Sequence, residues 1–188
     1  YKIKKSKIDL IENWSDIEQI NFSPKNISNK IVYIGNIGKA HDCSYFTDYL
    51  LKSNNKIKFN IKTDNVSKLR VSSSLNTNLE KLKNDFEDRI VWINKRFNKD
   101  DLSNYLISFD YSMIFLGKDF DKVLFPCKIY ASLDLLIPII FFGPKNSEIL
   151  IWLVKNNLGF HYSEIKLKYK NLNLYRESIE KFNLKNSN

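Results

Sequence analysis

Gly35 and Gly38 punctuate the stretch Ile31 to Cys43, IVYIGNIGKAHDC, between four apolar residues and a helical pattern through Phe46, Tyr49 and Leu50. A glycine turn joining a strand to a helix leaves backbone N–H groups unpaired beside the positive end of the helix dipole, an arrangement that suits a phosphate. Glycine alone lets the backbone approach an anion closely without a Cβ in the way. Many such turns hold nothing, so the other polar residues must decide. Lys128 follows Pro126 at the start of a second helix, where a cation opposes the dipole. An anion lying between that helix and the lysine would relieve the conflict. Glu148 follows Gly143-Pro144 and Ser147 in the first turn of a third helix. The dipole favours an acid there, and its sharper role is to accept the hydroxyls of a sugar or ribose.

Two rival constellations are weaker. The dinucleotide fingerprint G-x-G-x-x-G finds Gly35, Ile37 and Ala40 at its three places, with Asp64 as its only candidate for the ribose acid. The middle glycine is missing. Asp119-Phe120-Asp121 has the spacing of a pair that chelates a hard divalent cation. It stands between Lys118 and Lys122, where a solvated charged loop is the simpler reading. His41 and His161 are isolated, and Cys43 and Cys127 have no metal spacing, which suggests free thiols and a reducing compartment. No metal site is expected.

These residues are positioned by an alternating series of elements. Ile31–Ile34, Ile57 to Ile61, Ile90 to Ile93, Met113 to Leu116, Pro138 to Phe142 and Phe160 to Tyr162 read as strands. The second alternates with Lys58, Asn60 and Lys62 and reads as half-buried. Between them lie helical patterns through Leu75 to Phe86, Asp100-Asp101 (as caps) to Phe109, Pro126 to Leu136, and Ser147 (as cap) to Val154. An amphipathic helix over Leu174 to Phe182 closes the series. Ahead of it all, Ile8 to Ile11 suggests a short strand, and Asn13 to Pro24, with Trp14 as a packing anchor, a linker. Apolar strands alternating with helices predict an α/β fold, a Rossmann-like parallel sheet with helices on both faces. Ligands of such sheets bind at the carboxyl ends of the strands. Gly35 to His41, Asn94 to Phe97, Gly117 to Lys128 and Gly143 to Glu148 all fall there.

The chain of 188 residues is long enough for one domain and 43% hydrophobic, so it can build a core. It begins with Tyr1 and its only methionine is Met113, which reads as an excised part of something longer. The net charge is +9, carried by 26 Lys and 4 Arg. Readers of nucleic acid rely on arginine for bidentate contacts, so no nucleic-acid partner is expected. The spread of lysine suggests a solvated surface first and attraction to an anionic membrane second. The longest apolar run, Leu133 to Phe142, is too short to span a bilayer and is interrupted by Asp134 and Pro138. A cytoplasmic protein, peripheral to membrane at most, is expected.

Taken together, the segments resemble the C-terminal, donor-nucleotide-binding domain of GT-B glycosyltransferases, in the family 4-like group that builds bacterial surface polysaccharides. NWSD at Asn13 to Asp16 is similar to the interdomain entry of that group, IVYIGNIGKAHD to its glycine turn, and FDYSMIFL at Phe109 to Leu116 to a strand. FPCKIYASLDLLIPIIFFGPKNSEI at Phe125 to Ile149 resembles the block that carries the donor site. The resemblance implies residues 1–24 as the end of an N-terminal domain and linker, 25–170 as the nucleotide-sugar domain, and 171–188 as a C-terminal helix and tail. It implies that Gly35, Asn36, Gly38, Lys39 and His41 receive the diphosphate, with Lys128 neutralising it. Glu148, Ser147 and Ile149 would lie near the donor sugar or diphosphate, and Asn94 near the base. No cofactor or metal is implied, because dipole and lysine replace the cation. The substrate implied is a nucleotide-sugar such as a UDP-sugar. A glycan or lipid-linked acceptor would be held by an N-terminal domain, without which this part would not turn over. The closing helix would reach back toward that domain. Two acidic residues of the broader family are replaced by Val123 and Ala131, and its usual serine before the lysine by Cys127. A non-catalytic domain of the same fold, its donor site degenerate, is therefore the alternative, with an NAD-binding domain third.

Overall fold

The structure is a computed structural model that describes residues 30–38, 40–53, 57–63, 84–93, 97–168 and 171–186. The strand at Ile8 to Ile11, the linker with Trp14, Lys39, Asp64, Asn94 and most of the helix expected over Leu75 to Phe86 lie outside these residues.

The described strands are β1 (Ile31–Ile34), β2 (Phe59–Lys62), β3 (Ile90–Ile93), β4 (Tyr111–Phe115), β5 (Ile139–Phe142) and β6 (Gly159–His161). They form one six-stranded sheet in the order β3-β2-β1-β4-β5-β6, every pair parallel. Helices α1 (Ser44–Lys52), α2 (Lys99–Leu106), α3 (Lys128–Asp134), α4 (Glu148–Lys155), α5 (Ile165–Lys168) and α6 (Leu172–Asn186) accompany it. The expected α/β, Rossmann-like arrangement is what forms.

The period of two in the strands divides the core between the two faces. Ile31 and Tyr33 of β1, Phe59 and Ile61 of β2, Met113 and Phe115 of β4 and Phe142 of β5 pack against Phe46, Tyr49 and Leu50 of α1. From the opposite face, Val32 meets Leu106 and Phe109 at the end of α2. Ile114, Ile139 and Phe141 meet Ile129 and Leu133 of α3 and Ile149, Leu150 and Leu153 of α4. With both faces covered, no strand side chain has a free solvent side in the middle of the sheet. Lys62, expected on a wet face of a half-buried strand, is only 6% exposed. Its Nζ stands 5.5 Å from the centroid of the Phe97 ring.

Helix ends differ in detail from the sequence expectation. The cap of α2 is Asn98, whose side chain accepts from Asp101 N at 2.8 Å, rather than Asp100 or Asp101. Asn98 has the extended backbone of an N-cap, whereas Asp100 and Asp101 already lie inside the helix. Pro126 and Cys127 make a tighter turn, Ile129 N to Pro126 O and Tyr130 N to Cys127 O at 3.1 Å each, so α3 proper opens on Lys128. Ser147 stands at the N-cap of α4 but makes no capping hydrogen bond. The closing helix α6 lies against this domain. Leu172 and Tyr175 join the first core face, Ile179 the second, Asn183 Nδ2 donates to Leu133 O at 2.9 Å and Asn157 Nδ2 to Ser178 Oγ at 2.7 Å.

Candidate functional site

The strand order turns back between β1 and β4, and in open parallel sheets the crevice at such a switch point receives the ligand. The loops after β1 and β4 meet there: Gly117 N donates to Ala40 O at 2.9 Å, and a Cβ on Gly117 would stand 3.3 Å from Cβ of Asp42. The end of β4 continues into that of β5, Leu116 N donating to Phe142 O at 3.0 Å. The turns that carry Gly35, Gly117 and Gly143 therefore stand side by side along one edge.

Lys128 reaches this edge from α3. Its Nζ lies 4.5 Å from the centroid of the Tyr33 ring and donates to Tyr33 Oη at 3.1 Å. Tyr33 OH in turn donates to Asn36 O at 3.1 Å, so phenol and ammonium form one chain of donors that ends on the turn. Gly35 explains how the lysine fits. Its φ is +127°, and a Cβ there would be 2.7 Å from Nζ, so only glycine admits both the backbone angle and the side chain. No carboxylate faces the ammonium among the described residues. Burial lowers its pKa to about 8, with only the Cys127 thiol opposing.

His41 completes the group. Its Nδ1 accepts the Gly38 N–H at 3.0 Å, which leaves the proton on Nε2. Burial and the Lys128 charge push its pKa down to about 4, so the ring is a neutral donor. Cys43, behind it, is 1% exposed and its thiol is pushed up to about 12 by burial, then by Asp42, which makes it inert packing.

One expectation needs correction. The Gly35 and Gly38 amides were to meet a diphosphate, yet both already have acceptors, Lys62 O at 3.0 Å and His41 Nδ1. Gly35 continues the sheet ladder, and Gly38 orients the histidine. Among the described residues the amides without a partner in this turn are those of Asn36 and Ile37. Ile37 is fully buried, so the donors an anion would find here are the Lys128 ammonium, the His41 Nε2–H and the Asn36 amide.

Ser147, Glu148 and Ile149 stand at the same edge beyond β4, at the end of β5. Ser147 is fully buried and its hydroxyl has no hydrogen-bond partner, an orphaned donor where α4 begins. Glu148 is exposed. Ile149 is core, 2% exposed. Gly35, Asn36, Gly38, His41 and Lys128 come together, and Ser147 and Glu148 form a second cluster across the β4 loop.

In that loop, Asp121 Oδ1 is buried without a partner and Asp119 is exposed. Among the described residues no three His, Cys, Asp or Glu side chains are grouped to hold a metal ion, and no helix is long and apolar enough to cross a membrane. Val123 is 82% exposed and Ala131 half-buried, so neither of these positions supplies an acid to the edge. Tyr33 is the functional residue the sequence reading left out. It reads as one of four apolar strand residues, and its phenol in an otherwise aliphatic strand is the signal.

No protein-family model matches the chain, and no curated protein matches it in sequence.

Proposed function

We propose that this edge holds the diphosphate of a nucleotide-sugar, and that the chain is the donor-binding part of a glycosyltransferase of surface polysaccharide synthesis. The observation that carries the reading is Lys128: an ammonium withdrawn from water, seated on Tyr33 against a turn only glycine can make, with no carboxylate beside it among the described residues. Desolvating a cation without a partner is unfavourable, and a bound anion reverses the sign. In this reading Lys128 and the Asn36 amide take the diphosphate and stabilise charge on the leaving nucleotide. His41 donates from Nε2, and Ser147 and Glu148 address the sugar hydroxyls. The acceptor, a glycan or lipid-linked saccharide, would be presented by another domain, with peripheral contact to an anionic membrane. The protein then works on the cytoplasmic side, and no metal or cofactor enters the reaction.

Ile37 weighs against the dinucleotide alternative. It occupies the fingerprint's middle position and is fully buried in the core beside α1, where a glycine would have let a pyrophosphate approach. Ala131, at the place of the broader family's ribose-binding acid, favours the second reading, a non-catalytic domain of the same fold with a degenerate donor site.

Calorimetric titration with UDP, GDP and UMP, without added metal, tests the proposal. The diphosphates are expected to bind at least about tenfold tighter than UMP, the difference a second charged hydrogen-bond set contributes. Equal affinity for mono- and diphosphate, or none for either, overturns it.

A further inference from the structure

We propose that His161 is a positioning residue for this edge: as the neutral tautomer carrying its proton on Nε2, it holds the Gly143 carbonyl and so sets where α4 begins. Parallel pairing of β5 with β6 puts His161 opposite Phe141, and the ring is 3% exposed. Its Nδ1 accepts the backbone N–H of Ser163 at 3.3 Å and has Ser163 Oγ at 2.8 Å. A nitrogen that accepts a backbone N–H carries no hydrogen of its own, so the ring proton is on Nε2, which lies 3.0 Å from Gly143 O. A carbonyl can only accept, and the bond has one direction.

The turn so held has little freedom. A Cβ on Gly143 would fall 2.6 Å from Cζ of Phe141 and 3.0 Å from Leu116 O. Four residues on, Ser147 N donates to Pro144 O at 3.2 Å, and Ser147 O accepts the first helical bond of α4 from Ile151 N at 3.0 Å. The path from His161 to the buried Ser147 hydroxyl therefore consists of one imidazole, one glycine carbonyl and one tight turn. The charged groups that act on the ring are Lys145, from the turn, and Glu164, from the segment after β6, with the Tyr162 ring 4.3 Å away. Burial lowers the pKa of His161, the Gly143 bond opposes that, and Lys145 adds to the lowering while Glu164 opposes. A second proton would go to Nδ1 and displace the Ser163 N–H.

The consequence for ligand binding rests on the nucleotide-sugar reading; the positioning role does not. His161→Gln keeps an N–H where Nε2 was, whereas His161→Asn reaches only as far as Nδ1. Amide hydrogen exchange in the free protein is expected to be about tenfold faster at Ser147 and Ile151, whose amides are bonded in that turn, in His161→Asn than in His161→Gln, one hydrogen bond's worth. UDP affinity is expected to fall by a similar factor in the Asn variant and to stay within about twofold of the parent in the Gln variant. Equal exchange rates in the two variants overturn the proposal, since packing alone would then account for the ring. If the exchange rates separate but no form binds UDP, the nucleotide reading fails and the positioning role stands.

Discussion

Arg176 and Lys128 are both cations drawn out of water, one at each edge of the same sheet, and their surroundings differ in kind. Arg176 comes from α6 to the amino edge, where its Nη2 lies 3.5 Å from Asp110 Oδ1. Asp110 is 3% exposed and its other oxygen accepts Lys30 N at 3.1 Å, so helix, β1 and β4 are tied at one carboxylate. Lys128 at the carboxyl edge has a phenol and a ring face but no carboxylate among the described residues. A charge balanced within the fold has its partner already and serves architecture. One left unbalanced at the switch point of a parallel sheet is a place for something the protein does not itself contain.

The contrast is sharpest when each charge is removed. Asp110→Ala leaves Arg176 buried with its counter-charge gone, and denaturant unfolding is expected to show a loss of about 3–5 kcal/mol, with nucleotide affinity unchanged in the folded fraction. Lys128→Ala reverses the pattern. Diphosphate binding should weaken by about 1.5–3 kcal/mol, the range for hydrogen bonds to charged groups, while the melting temperature holds or rises. A Lys128→Ala protein that melts lower and binds normally would put the two cations in one class.

Gly35→Ala probes the same edge through the backbone. With φ at +127° and Lys128 Nζ 2.7 Å from the new Cβ, the substitution is expected to cost about 1–3 kcal/mol of stability and to displace the ammonium, so affinity falls with it. Gly38→Ala is expected to be milder, because its Cβ would meet only His41 Nδ1, at 3.8 Å.

The smallest effect is the pH response. The folded state holds Lys128 at about 8 against 10.5 for the free side chain, so between those values the unfolded chain binds more protons and stability rises with pH. Lys128→Met should remove that rise, seen as the difference between the two proteins' stability curves from pH 7.5 to 10.5. A bound diphosphate raises the lysine's pKa. Its affinity therefore falls as pH climbs through 8, and binding near pH 8 takes up a proton. Calorimetry in buffers of different ionisation enthalpy reads that uptake.

The layout of the sheet was open to sequence reading because its strands are nearly continuous apolar runs, Ile90 to Ile93 and Met113 to Leu116 among them, separated by glycine, proline and asparagine. Local chemistry also pointed to Gly35 and Lys128 as candidates. Their meeting was hidden: Lys128 contacts Tyr33 across 95 residues, and no periodicity within either segment announces a phenol under an ammonium. Hydrogen-bond accounting was hidden for the same reason. The sequence shows that Gly38 has an amide, whereas only the folded turn shows His41 Nδ1 taking it. Ser147 has the right type for a cap, yet its hydroxyl stands unused in the fold. Lys62 misled because alternation is read one strand at a time, and burial of both faces is a property of the whole sheet.

If the unbalanced cation marks an anion site, amide and side-chain chemical shifts during a UDP titration will show it. Saturable shifts are expected at Asn36, Ile37, His41 and Lys128, abolished by Lys128→Ala, with Lys30, Asp110 and Arg176 at the far edge unmoved. Shifts scattered over the lysines of the surface, or none at the Gly35 turn at millimolar UDP, would contradict it.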